Sequence, residues 1–214
     1  PKSPMVAIVG GSKVSSKLSI LDSLADKVDQ LILGGGIANT FLKAQGFNIG
    51  NSLHENDFID SAKKIIQKLE SRGASLPLVT DVICGKQLNE NEIAVKKNIN
   101  DLEPTDMIFD LGPETMKGIT KNLKQSKTIL WNGPIGVFEF DQFSKGTETL
   151  AHAIANSIGF SLAGGGDTIA ALEKFGMIKN ISYISTAGGA FLEFVEGKKL
   201  PAIEILEKRS TIEH

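Results

Sequence analysis

Short, continuous apolar runs alternate along this chain with longer segments of helical spacing. Met5–Val9, Gln30–Leu33, Phe160–Ala163 and Ile181–Ser185 are the runs. The segments that follow them are Leu18–Val28, Ile37–Ala44, Thr168–Phe175 and Phe191–Glu196. Runs that are apolar throughout, with no polar alternation, mark strands buried on both faces, as in a parallel sheet. Leu76–Cys84, Asp106–Asp110 and Lys127–Trp131 are three further strand candidates. Asp57–Ser71 sets Phe58, Ala62, Ile65, Ile66 and Leu69 on one side of a helix, and Glu114–Leu123 and Lys145–Ser157 read as two more. Residues 85–105, of mixed polarity, read as an inserted hairpin or loop. No linker or shift in composition divides the chain. The pattern predicts one domain over residues 1–214: a doubly wound, Rossmann-like α/β fold with helices on both faces of a mostly parallel sheet of six or seven strands.

Composition narrows the partners. With 23 basic and 25 acidic residues the formal net charge is −2, without the basic surplus of a nucleic-acid binder. No apolar run approaches the roughly 18 residues that cross a bilayer, so no membrane partner is expected. A lone cysteine, Cys84, cannot form an internal disulfide, which suits a cytoplasmic protein. Cys84 ends a strand run and is expected to pack as a small apolar residue. The three histidines have no metal-ligand spacing, and none is assigned catalytic work. The chain opens on Pro1 with no initiator methionine, so it is expected to be a fragment.

The placement of the 22 glycines is the informative feature. Ten fall in four tight clusters: Gly10-Gly11, Gly34-Gly35-Gly36, Gly164-Gly165-Gly166 and Gly188-Gly189. Each lies at or just past the end of a strand run and before a helical segment. In open α/β sheets, ligands bind outside the carboxyl ends of the strands. Glycine there permits tight turns and close approach to the main chain, and helix N-termini offer free amides to phosphate. One such cluster could be only a turn, but four on one edge point to a nucleotide or phosphate.

The familiar signatures are absent. GxGxxG/A does not occur, since the triplets read GGGIAN and GGGDTI, and GxxxxGK[ST] is missing. Lys13 and Lys17, four apart after the first cluster, would share a face on the opening turns of a helix, where an anion would relieve their repulsion. The alternative is a pair of solvated lysines. Asp167 and Thr168 after the third cluster are ordinary capping residues, but Asp167 is also a candidate Mg²⁺ ligand beside phosphate. Trp131-Asn132-Gly133-Pro134 is a sharp turn after a strand. From it Asn132 could reach a phosphate oxygen and Glu139 a ribose hydroxyl.

Together VAIVGGSKVSSKL, LILGGGIANTFL, ILWNGPIGVFEF, LAGGGDTIAAL and YISTAGGAFLEFVEGKKLP resemble the carboxyl-terminal half of bacterial phosphoglycerate kinases. The resemblance implies phosphoryl transfer between 1,3-bisphosphoglycerate and ADP, giving 3-phosphoglycerate and ATP in glycolysis, with Mg²⁺ as cofactor. It implies a monomer of two α/β lobes that close on each other. The phosphoglycerate-binding amino-terminal lobe is absent from this chain. By position, Lys13 resembles the lysine that contacts the transferring phosphoryl group, and Lys17 one that binds nucleotide phosphates. Gly34, Gly35 and Gly36 resemble the adenine wall, Asn132 a phosphate contact and Glu139 the ribose acceptor. Gly165, Gly166, Asp167 and Thr168 resemble the phosphate and Mg²⁺ loop. Gly188 and Gly189 resemble a helix start facing the moving group. Ser16 stands where many members have Asp, and Ala187 where a third glycine is usual, a modest change if φ stays negative. The isolated half is expected to bind Mg-nucleotide with little turnover. The alternative, a non-catalytic dinucleotide- or flavin-binding module, is disfavoured by the missing GxGxxG/A and by the lysine pair.

Overall fold

The computed structural model describes residues 1–187, 190, 193, 196–198, 204, 205 and 209. Five strands build the main sheet: β1 (Met5–Val9), β2 (Gln30–Leu33), β6 (Thr128–Asn132), β7 (Phe160–Gly164) and β8 (Tyr183–Ser185). Their order is β2-β1-β6-β7-β8, and every neighbouring pair is parallel. Side chains alternate between faces with a period of two. Met5, Ala7 and Val9 of β1 join Leu31, Leu33 and Leu130 on one face, while Val6 and Ile8 join Ile32, Ile129 and Trp131 on the other. Both faces are apolar because both are covered.

Helices α1 (Leu18–Ala25), α2 (Gly35–Ala44) and α3 (Ile59–Ser71) close the first face through Leu21, Leu24, Phe41, Ile65 and Leu69. Helices α4 (Pro113–Leu123), α5 (Lys145–Ala155) and α6 (Gly166–Lys174) close the second, where Ile119, Leu150, Ile154 and Leu172 surround the fully buried Trp131. Burial of each such side chain contributes about 1.5–3 kcal/mol. Lys68 reaches from α3 to Asp22 (2.9 Å) and Asp26 (2.8 Å), so it ties α3 to α1.

Two expected strands belong elsewhere. β3 (Asp81–Gly85) and β5 (Met107–Leu111) pair antiparallel, with β4 (Val95–Asn98) on the outer edge of β3, in a separate three-stranded sheet. The parallel sheet therefore has five strands, fewer than the pattern suggested. The chain between β3 and β5 explains the difference. It holds a hairpin strand and one 3-10 turn, Ile99–Asp101, and lacks the helical crossover that parallel neighbours need. Residues 76–80 are irregular, with Pro77 unable to donate to a ladder. This small sheet has its own core of Val82, Cys84, Ile99, Leu102 and Ile108 with Leu42 and Ile49. Burial pushes the Cys84 thiol up to about 12, so it packs as an inert apolar group.

Candidate functional site

The register brings the strand ends level. Val9 pairs with both Leu33 and Asn132, and Trp131 pairs with Ala163, so the glycines after β1, β2, β6 and β7 emerge side by side. Two groups of glycine then differ in what they do. A Cβ on Gly10 would overlap the Pro134 carbonyl, one on Gly34 the Ile135 backbone, one on Gly36 the Ser12 carbonyl and one on Gly133 the Gly10 carbonyl. These glycines let three loops pack main chain against main chain. Gly35, at φ +64°, turns into α2 beside the Gly11 carbonyl. It also lines, with Ala38, Phe109 and Ile135, a small and largely apolar pocket. Gly166 is the opposite case: it is exposed, and nothing lies within 4 Å of where its Cβ would be. The main chain opening α6 is therefore open to a ligand, whereas most of the glycine at this edge serves the protein's own loops.

Asn132 and Lys17 occupy the centre of the rim. Asn132 is buried; its Nδ2 donates to the Gly164 carbonyl (2.7 Å) and its Oδ1 accepts from Lys17 Nζ (2.6 Å). Lys17 Nζ also donates to the Gly10 carbonyl (2.7 Å). Burial holds this ammonium below the ordinary lysine range, and the charge of Asp167 pulls the other way. An arriving anion would favour the charged form further. Thr168 is fully buried with its hydroxyl engaged: it donates to the Gly164 carbonyl (2.9 Å) and accepts from the Gly133 amide (2.7 Å). Its side chain thus clamps the start of α6 to the Asn132-Gly133 turn.

Lys13 and Lys17 do not share a helix face. The helix begins only at Leu18, with Lys17 as its N-cap, and Lys13 stands exposed on the preceding loop. Before the helix Val14 is buried in the core, Lys17 N–H donates to the Val14 carbonyl (2.9 Å), and Ser16 Oγ bonds back to the Lys13 carbonyl (2.8 Å). That local bond engages the Ser16 hydroxyl within its own loop. Ala187 keeps negative φ, like every other described non-glycine residue. Gly188 and Gly189, and most of the helix expected over Phe191–Glu196, lie outside the described residues.

Glu139 is exposed on the loop after β6. Lys174, ending α6, steadies that loop by donating to the Phe138 carbonyl (2.9 Å) and pairing with Asp141 (2.7 Å). Asp167 is exposed in the first turn of α6, and among the described residues its carboxylate has no hydrogen-bond partner. No group of three His, Cys, Asp or Glu able to hold a metal occurs among the described residues. Asp167 thus offers one exposed carboxylate, the kind of oxygen donor that Mg²⁺ commonly shares with phosphate and water.

Beneath the loop lies a buried acid that the sequence did not flag. Asp110 accepts from the amides of Gly146 (2.6 Å) and Leu111 (2.9 Å), and it leaves no room for a Cβ on Gly136 or Gly146. Val137 donates to the adjoining Phe109 carbonyl (2.8 Å), so β5, α5 and the loop that carries Glu139 meet at this carboxyl. Burial pushes its pKa up to about 8, against the amides that favour the charge. Folded Asp110 thus keeps its proton to higher pH than the unfolded chain, where it titrates near 3.8. Its contribution to stability is full below about pH 4 and is lost as pH rises through about 8. Urea denaturation from about pH 5 to about pH 8 should show stability falling, and Asp110→Asn should remove most of that slope. An equal slope in the variant would assign the pH dependence to other groups.

The model of the family described as phosphoglycerate kinase matches residues 1–198. The chain belongs to the phosphoglycerate kinase family. The phosphoglycerate kinase of Francisella philomiragia is 60% identical over 212 residues, 99% of this chain and 54% of that protein. The phosphoglycerate kinase structure from Coxiella burnetii superposes with a TM-score of 0.95 at 56% identity, covering 98% of this chain and 54% of that one. The one from Pyrococcus horikoshii superposes at 0.81 and 29% identity, covering 96% and 52%. The α/β architecture, with its five-stranded parallel sheet, is thus that of phosphoglycerate kinases, and the chain spans about half the length of the relatives it matches. No helix among the described residues is long and apolar enough to cross a membrane.

Proposed function

We propose that this chain is the nucleotide-binding, carboxyl-terminal half of a phosphoglycerate kinase. In this reading it holds Mg-ADP or Mg-ATP at the strand-end rim while the other half presents 1,3-bisphosphoglycerate or 3-phosphoglycerate. The observation that carries the reading is the pairing of a half-buried ammonium with open main chain. Lys17 is held between the Gly10 carbonyl and Asn132, next to the exposed start of α6 at Gly166 and Asp167.

Phosphoryl transfer asks little covalent chemistry of a protein; positioning and charge stabilisation dominate. Gly165, Gly166 and the amides opening α6 take the nucleotide phosphates with Lys17, and Asn132 fixes the Lys17 head group. Thr168 acts on the shape of this loop, since its hydroxyl is already engaged. Glu139 accepts the ribose hydroxyls, and Gly35 forms the adenine side, with Gly34 and Gly36 acting by packing its loop against the neighbouring ones. Lys13, exposed and without a hydrogen bond to its ammonium among the described residues, is free to follow the moving phosphoryl group with Gly188 and Gly189. Asp167 would hold Mg²⁺ beside the nucleotide phosphates, where the ion would supply charge neutralisation. Closure of the two halves excludes water, so this half alone binds nucleotide with little turnover.

Calorimetry of the 214-residue chain tests the reading. MgADP should bind, with affinity lost on chelation of the metal, and NADH and FAD should not. Binding of NADH with indifference to MgADP would instead make the rim a dinucleotide module.

A further inference from the structure

The loop that carries Lys13 is braced from outside by an acid to which nothing above assigns a role. Glu55 lies between α2 and α3, and its carboxylate takes two bonds from one residue of the loop: Ser15 N–H to Oε2 (2.8 Å) and Ser15 Oγ to Oε1 (2.7 Å). The Glu55 amide donates to Thr40 Oγ1 (3.1 Å), which donates to the Gly36 carbonyl (2.8 Å). A continuous run of hydrogen bonds therefore joins the first turn of α2 to the loop before α1. Val14 fixes the inner side of that loop by burial, and Glu55 fixes the outer side. The Ser15 bonds hold the Glu55 carboxyl below its usual range, with the charge of Lys13 adding to the effect.

We propose that Glu55 is a positioning residue for Lys13. It acts through its hydrogen bonds to Ser15, which set the loop so that the Lys13 ammonium is held for the terminal phosphoryl group. The inference rests on the reading of Lys13 given above. It distinguishes two effects that a general loss of fold would not separate. An acid that acts through Lys13 affects the terminal phosphate alone, because the inner phosphates rest on Lys17 and the start of α6.

The test is a double-mutant cycle on the 214-residue chain, read as MgATP and MgADP affinities. Lys13→Ala should weaken MgATP by about tenfold, the worth of one charge-assisted hydrogen bond, and leave MgADP within about twofold. Glu55→Ala should reproduce about threefold or more of that selective loss, and the double variant should be no worse than Lys13→Ala alone. Glu55→Gln, which keeps an acceptor for Ser15, should recover most of the MgATP affinity. Equal losses of MgATP and MgADP in Glu55→Ala, or additive losses in the double variant, would overturn the proposal while the reading of Lys13 stands. MgATP affinity unchanged in Lys13→Ala would remove that reading and the proposal with it.

Discussion

In an enzyme that carries both halves, Lys13→Ala is expected to lower turnover by ~10²–10³-fold, the usual cost of removing one preorganised contact to developing charge. The expectation follows from the contrast between the two lysines. The Lys17 ammonium is committed to a carbonyl and an amide oxygen (2.7 and 2.6 Å), in a half-buried position where moving it would strand both partners. The ammonium of Lys13 is exposed on a loop with no such commitment among the described residues. Positive charge that is free to move belongs with the group that moves. Steady-state kinetics should show the loss in kcat with the KM for MgADP changed only modestly, since an interaction made chiefly in the transition state lowers kcat. Normal turnover in this variant would remove Lys13 from the chemistry.

The second large effect separates the two classes of glycine. Gly36→Ala should destabilise the fold by about 2–3 kcal/mol, because its new methyl group meets the Ser12 carbonyl and backbone cannot step aside as a side chain can. Gly166→Ala should leave stability within about 1 kcal/mol of the parent, since its site is open and helical alanine is favoured over glycine. Yet it should weaken MgADP by about tenfold or more, by holding phosphate off the main chain. Urea denaturation with nucleotide titration of both variants would show the split. A Gly166→Ala chain that binds MgADP like the parent would mean that phosphate does not approach there.

Sequence reading succeeded where one strand or helix carries its own signal. Met5–Val9 and Gln30–Leu33 appear with the expected bounds because they are buried on both faces, and burial on both faces is what a continuous apolar run records. The α3 helix runs from Ile59 to Ser71, its expected start at Asp57 being taken by a 3-10 turn at Asn56–Phe58. Reading failed where structure depends on what meets across the chain. Nothing local in Asp106–Asp110 states that its partner is antiparallel. The grip of Glu55 on a serine forty positions away, and the burial of Asp110 under Gly136, exist only once the loops are folded together. Three of the four glycine clusters lie at one rim, and the fourth, Gly188-Gly189, is outside the described residues. Their purpose was legible only in part, because a glycine needed for loop packing and one needed for a ligand look alike in sequence. Lys13 and Lys17 show the same limit, since their four-residue spacing implied a helical face, whereas the helix begins only at Leu18.

The most direct test of the rim is a ¹⁵N amide titration of the chain with MgADP. The largest shifts are expected at Gly165, Gly166 and Asp167, with a smaller response at Gly34–Gly36 and Glu139. A titration in which these amides stay still, while others move or none do, would contradict the assignment of this sheet edge to a nucleotide.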